Sequence, residues 1–197
     1  MLTPPKIAPI TLTGQRIRLE PLSIGHAAAL IAIGNDPRLW RLQPYRISTR
    51  WDMERYIHTA LEQQTTGSGL PFVIIDALAE RVIGSTRYMD ICLAHRRLEI
   101  GATWLCSEYQ RTYANTETKL LLLTHAFEAL NIQRVIFKTE TGNDISRRAI
   151  LRLGATEEGI FRRHLIADDG RYRDMVYYSI LDNEWPSIKT RLSTFLY

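Results

Sequence analysis

The feature that most constrains the fold of this 197-residue chain is a helical stretch enclosed between two β-type runs. Leu120, Leu123, Ala126, Phe127 and Leu130 recur at helical spacing from about Thr116, and Asn131 is a natural C-terminal stop. Residues 97–105 before it and 135–139 after it read as strands. Strand, helix and strand in one sheet make a crossover, which is right-handed and leaves its two strands parallel.

The flanking segments have a different character. Residues 15–20 alternate polar and apolar until Pro21 breaks the pattern. Ser23 caps a helix through Ala27 to Ile31, ended by Gly34-Asn35-Asp36-Pro37, and Ser48-Thr49 opens a second helix carrying Met53, Tyr56, Ile57, Ala60 and Leu61. Residues 72–75, 81–89 and 97–105 lie close enough in sequence to pair as an antiparallel meander. Downstream, Asn143 or Asp144 caps a helix over 145–153 that Gly154 ends. Strands near 156–166 and 172–181 flank a hairpin turn at Ala167-Asp168-Asp169-Gly170, and a helix over about 183–195 closes the chain. The expectation is one α/β domain over residues 1–197, with a mixed sheet of about seven strands and an extended arm at residues 1–10.

Composition narrows the function. With 45% hydrophobic and 23% charged residues the chain is globular, and no apolar stretch approaches the ~18 residues of a membrane helix. The N-terminus has no apolar run behind its charge, so it does not read as a secretory signal. Cys92 and Cys106 are too few for a disulfide scaffold and point to a reducing, cytoplasmic setting. The five histidines show no metal-ligand spacing, so no metal is expected. A net charge of +4 suits an anionic partner. The basic residues are dispersed, which favours a polyanionic cofactor over direct nucleic-acid binding, and no membrane partner is expected. Monomer and homodimer stay equally open.

In such a sheet the natural cleft lies where antiparallel and parallel halves meet, between Trp104 and Thr116. A helix N-terminus there favours phosphate through its free N–H groups and dipole. Arg111 supplies a cation, and Thr112, Asn115 and Thr116 supply short polar side chains. The same residues would also serve an ordinary strand-to-helix connection.

Three segments together carry a specific resemblance: Leu98-Glu99-Ile100-Gly101, the run Asn115-Thr116-Glu117-Thr118-Lys119-Leu120, and the run from Asn143-Asp144-Ile145-Ser146 to Leu153-Gly154-Ala155. With the element order, they make nearly the whole chain resemble the GNAT superfamily of acyl-CoA N-acyltransferases, in the branch of ribosomal-protein N-terminal acetyltransferases. The resemblance implies acetyl-CoA as co-substrate and a primary amine as acceptor, most naturally a protein or peptide N-terminus; small amines and a non-catalytic acyl-CoA-binding module are the alternatives.

It also implies site residues. The CoA pyrophosphate loop, of pattern Gln/Arg-x-x-Gly-x-Gly/Ala, falls on Gln110-Arg111-Thr112-Tyr113-Ala114-Asn115, just before Thr116. Gln110 fits, whereas Tyr113 and Asn115 replace small residues. Asn115 can adopt a left-handed backbone better than most residues and so partly replaces a glycine, whereas Tyr113 cannot do so cheaply and its ring occupies space near the phosphates. The strand bulge that accepts pantetheine falls on Thr103, Trp104 and Leu105. Asn143 and Ser146 fall near the thiol, or simply cap their helix. Glu99 matches a catalytic carboxylate, with Glu108 as reserve. Ile150 stands where many relatives carry a tyrosine, leaving Ser146 as proton donor to the thiolate. Trp40, Arg41, Tyr45 and Trp51 form an aromatic and basic group suited to the acceptor, or to packing.

Overall fold

A computed structural model describes residues 7–43 and 45–196; residues 1–6 of the expected arm lie outside that range. The strands are β1 (Leu12–Thr13), β2 (Ile17–Pro21), β3 (Leu70–Asp76), β4 (Arg81–Cys92), β5 (Arg97–Leu105), β6 (Arg134–Glu140), β7 (Thr156–Ile166) and β8 (Tyr172–Leu181). They form a single sheet in the order β1-β2-β3-β4-β5-β6-β8-β7. The count is eight rather than about seven, because the two residues of β1 pair with β2 and are too short to show alternation. Only β5 and β6 run parallel; every other neighbouring pair among the described strands is antiparallel.

The sheet is covered on both faces, as the alternation within β3 shows. Phe72 and Ile74 join one buried cluster with residues of α3 (Tyr113–Thr124), α4 (Asp144–Leu153) and α5 (Trp185–Thr194). Val73 and Ile75 join another, with residues of α1 (Ala27–Gly34) and α2 (Arg50–Thr65). Helix α3 begins at Tyr113, a turn before its hydrophobic stripe, because the Thr112 hydroxyl accepts the Ala114 N–H at 3.2 Å. Its C-terminal end widens into a π-type turn over His125–Ala129 before Asn131, whose φ of 52° stops the helix. At the turn joining β1 to β2, the buried Glu117 carboxylate of α3 accepts the N–H groups of Gln15 and Arg16 at 2.6 and 2.9 Å.

One irregularity shapes the centre of the sheet. Ser85 pairs with Trp104 and Arg87 with Gly101, so two steps along β4 face three along β5. The extra residue is a β-bulge, and Ala102 carries its positive φ of 48°. Beyond the bulge the alternation of β5 reverses. Glu99 and Gly101 face α2, whereas Thr103 turns to α3 and Trp104 returns to the α2 side. Pairing between β5 and β6 covers only Arg97↔Arg134, Leu98↔Val135 and Glu99↔Ile136. Past Glu99 the two strands diverge.

At Gly84, opposite Leu105, β5 passes so near that a methyl would overlap the Trp104 carbonyl oxygen, a backbone atom that cannot swing aside. Gly84→Ala is expected to cost about 1–3 kcal/mol. Thermal denaturation should show a fall in Tm of about 2–4 °C per kcal/mol; an unchanged Tm would mean the strands tolerate separation at the bulge.

Candidate active site

The divergence of β5 and β6 leaves a fork in the middle of the sheet. The β6-facing edge of β5 over 100–105 lacks a strand partner, as does the opposing edge of β6 over 137–140. An exposed strand edge is a template for an extended ligand that hydrogen-bonds as a strand would. Because the two strands are parallel, the helices that follow them, α3 and α4, both start at the open end of the fork, and ligands bind at such carboxyl ends.

Glu99, in the last parallel pair, sits at the closed end of the fork with only 3% of its surface exposed. Burial pushes its carboxyl up to about 7, and the Lys138 ammonium at 2.7 Å restrains the rise. Burial would lower the Lys138 amine, but the Glu99 and Asp90 carboxylates hold it above its ordinary value. Gly101 makes room for this carboxylate: a Cβ there would lie 2.6 Å from Glu99 Oε1 and 2.8 Å from Met89 Sδ. A carboxyl titrating near neutrality suits a general base. Glu108 lies on the surface instead, ion-paired to Arg81.

At the open end, Gln110 donates its side-chain amide to the Leu105 carbonyl at 3.0 Å, tying the loop to the end of β5. The left-handed residue is Arg111, with φ of 61°, and not Asn115, which lies inside the helix. The Tyr113 ring is held away from the loop, with its hydroxyl donating to Asp76 Oδ2 at 2.9 Å and Arg16 stacked 3.9 Å above it. Tyr109 donates to the same Asp76 oxygen at 2.7 Å. Ala114 and Thr116 point into the interior, where Arg152 donates to the Thr116 hydroxyl at 2.6 Å. Asn143 caps α4, its Oδ1 accepting the Ser146 N–H at 3.1 Å, which leaves the half-buried Ser146 hydroxyl beside the cap. Ile150 is buried in the core.

Two features escape sequence reasoning. Lys119 of α3 is 5% exposed and donates to Thr103 Oγ1 at 2.6 Å; burial drops its amine to about 7. Its ammonium lies 6.0 Å from the Phe137 ring, bringing it to the fork from the α3 side. Arg87 of β4, on the opposite face, is 5% exposed. Both follow polar neighbours, Ser85-Thr86 and Thr116-Glu117-Thr118, so the sequence carries no signal that either side chain turns inward.

On the α2 side, Trp40 and Tyr45 are brought together with Trp104 and Tyr56: ring centroids lie 5.0 Å apart for Trp40–Trp104 and 5.4 Å for Tyr45–Tyr56. Arg41 is exposed, and Trp51 is 64% exposed beneath Arg55, so neither joins this group. The loop bearing Leu42 is anchored by Arg173 of β8, which donates to the Leu42 carbonyl at 2.6 Å and pairs with Glu140 of β6. Among the described residues there is no cluster of metal-binding side chains and no helix long and apolar enough to cross a membrane.

Comparison with known proteins agrees with this geometry. A model of the GNAT acetyltransferase domain matches residues 16–156. YdaF of Bacillus subtilis, provisionally named a ribosomal N-acetyltransferase, is 38% identical over 95 residues, 48% of this chain and 51% of YdaF. The match thus spans about half the length of that relative. The uncharacterised N-acetyltransferase p20 of Bacillus licheniformis is 26% identical over 179 residues, 89% of this chain and 98% of p20. A GCN5-related N-acetyltransferase structure from Brucella melitensis superposes with a TM-score of 0.90 at 30% identity, covering 98% of this chain and 88% of that one. RimJ from Mycobacterium smegmatis, solved with CoA-disulfide, shares the fold, with a TM-score of 0.82 at 24% identity over 94% of each chain. The family match covers most of the chain, and with the fork between β5 and β6 it leads to one conclusion: the protein belongs to the GNAT acetyltransferases and is an acyltransferase.

Proposed function

We propose that the protein transfers the acetyl group of acetyl-CoA to a primary amine by direct attack within a ternary complex. The observation that carries this reading is a buried carboxylate, Glu99, at the closed end of a fork whose strand edges are free to pair with an extended ligand. The free edge of β5 over Thr103, Trp104 and Leu105 would bind the pantetheine arm. The segment Gln110, Arg111, Thr112, Tyr113, Ala114, Asn115 and Thr116 would hold the pyrophosphate, chiefly through backbone N–H groups and the α3 dipole. The inward-facing Thr116 and the engaged Tyr113 leave the phosphates to backbone donors and Arg111.

Chemistry at the fork follows from the protonation states. An α-amine near pKa 8 is partly neutral at pH 7, whereas a lysine amine near 10.4 is almost wholly charged. Ionised Glu99 takes a proton from the incoming ammonium, directly or through water. The neutral nitrogen then adds to the thioester carbonyl, the C–S bond breaks as the C–N bond forms, the nitrogen gives up its second proton to solvent, and the thiolate takes a proton from solvent directly or through Ser146, which solvent reprotonates. An N–H of the β5 edge near Leu105 polarises the carbonyl oxygen. Holding amine and thioester together supplies much of the acceleration. The ribosomal N-acetyltransferase name given to YdaF supports a protein amine, and the N-terminus is the protein amine most readily neutral.

Because Glu99 must be ionised to act, kcat should rise with pH through about 7, where its burial places the titration. Glu99→Gln should lower kcat by about 10²–10⁴-fold near neutral pH. The loss should shrink at high pH, where the amine is neutral without help. Release of CoA monitored with a free thiol reagent across pH 6–9 checks this; an unchanged profile in the variant would remove Glu99 from the reaction. Gly101→Ala should displace the Glu99 carboxylate without disturbing backbone, because the methyl meets only side-chain ends. Its kcat should therefore fall by about tenfold or more, with a Tm close to wild type.

A further inference from the structure

Arg87 lies beside the proposed base, and the chemistry given so far makes no use of it. It is 5% exposed, yet among the described residues no carboxylate comes within ion-pair range. It donates to Gln63 Oε1 at 3.2 Å and lies 4.6 Å over the Tyr56 ring, while its Nε is buried without a hydrogen-bond partner. Two neighbours repeat the pattern: the Tyr45 hydroxyl and Trp104 Nε1 are also buried and unpartnered. Tyr45 and Trp104 each pack against this aromatic group. Arg87 Nε, the Tyr45 hydroxyl and Trp104 Nε1, three buried groups gathered about Tyr56 and each short of a hydrogen-bond partner, form a site for an acceptor-bearing anion rather than a packed core.

The position fixes what the anion belongs to. Arg87 is the cross-strand partner of Gly101, and the Glu99 carboxylate lies over Gly101 on the same face. Guanidinium and carboxylate are therefore neighbours across one strand step, yet they are not paired with each other. A ligand whose ammonium meets Glu99 would place a group a few bonds away against Arg87. From this juxtaposition we infer that the amine accepted at Glu99 carries a carboxylate close to its nitrogen, bound by Arg87 together with Tyr45 and Trp104. The carboxylate is that of a free amino acid or an acidic side chain at the start of a peptide. The charge of Arg87 also favours ionised Tyr56, against the burial that opposes it, which marks the strength of the positive field there. This inference rests on the reading of Glu99 as the base at the acceptor side.

The test compares acceptors that differ only in charge. Free amino acids are paired with their carboxamides, and short peptides with Asp or Glu at the first two positions with the same peptides carrying Asn or Gln. With acetyl-CoA saturating, the carboxylate member of at least one set should show a KM about ten- to hundredfold lower than its amide, with similar kcat. The set in which this occurs separates the amino acid from the peptide. Arg87→Gln should abolish the preference by raising the carboxylate's KM far more than the amide's, while Arg87→Lys should recover part of it. Equal KM for carboxylate and carboxamide in both sets would overturn the inference. If no amine is acetylated, the acetyltransfer reading fails. Binding of the same pairs to the wild-type protein, followed by tryptophan fluorescence, then still decides: carboxylate-selective quenching supports the anion site and equal affinities refute it.

Discussion

The extra residue at Ala102 governs the positions of the groups around the fork. By inserting a third step on β5 against two on β4, it reverses which face each later side chain occupies. Glu99 and Gly101 keep to the α2 side, Thr103 meets Lys119 of α3, and Trp104 returns to pack against Trp40. The bulge also bends β5 away from β6, so that a sheet otherwise fully paired through its centre has one open seam. The crossover through α3 makes that seam lie between parallel strands, which sets two helix N-termini at its open end. The proposed phosphate-binding and acid–base ends of the seam thus arise from one local irregularity.

The seam is lined by charges that a purely structural core would avoid. Transfer of an ion from water to a protein interior costs several kcal/mol even after relaxation. Glu99 offsets this with Lys138 and by titrating near 7, and Lys119 does so by a lowered amine pKa. Arg87 cannot neutralise itself, because a guanidinium stays protonated. Buried ionisable groups gathered on both faces of one opening are a mark of function more than of stability. Arg173 and Glu140 belong to the same region but are engaged with each other and with the Leu42 carbonyl, and so shape the acceptor side by anchoring its loop.

The order of elements was readable because burial leaves a pattern: the stripe from Leu120 to Leu130 and the alternation of residues 15–20 mark one buried face, and the continuous apolar run Phe72–Ile75 marks a strand covered on both faces. Glu99 and the loop at Gln110 were singled out through the resemblance, and the structure places them at opposite ends of the fork. The bulge was not placed at Ala102, because alanine carries no conformational signal and its positive φ is imposed by neighbouring strands. Asn115 tolerates a left-handed backbone, but the start of α3 after the Thr112 cap places it inside the helix and puts the left-handed turn at Arg111. Tyr113 read as an obstruction until Asp76, 37 positions away, drew its hydroxyl aside. Arg87 and Lys119 stayed hidden for a similar reason: which way a long side chain turns is decided by distant partners.

The central claim is that the free edge of β5 binds acetyl-CoA through its backbone. Amide chemical shifts and hydrogen exchange of the folded protein, with and without CoA, test it most directly. Amides on the unpaired edge of residues 100–105 and in the first turn of α3 should shift and gain protection from exchange, while those of β2 and β3 should not. Perturbation confined to other surfaces, with residues 100–105 unaltered at saturating CoA, would contradict the assignment of the seam as the acyl-donor site.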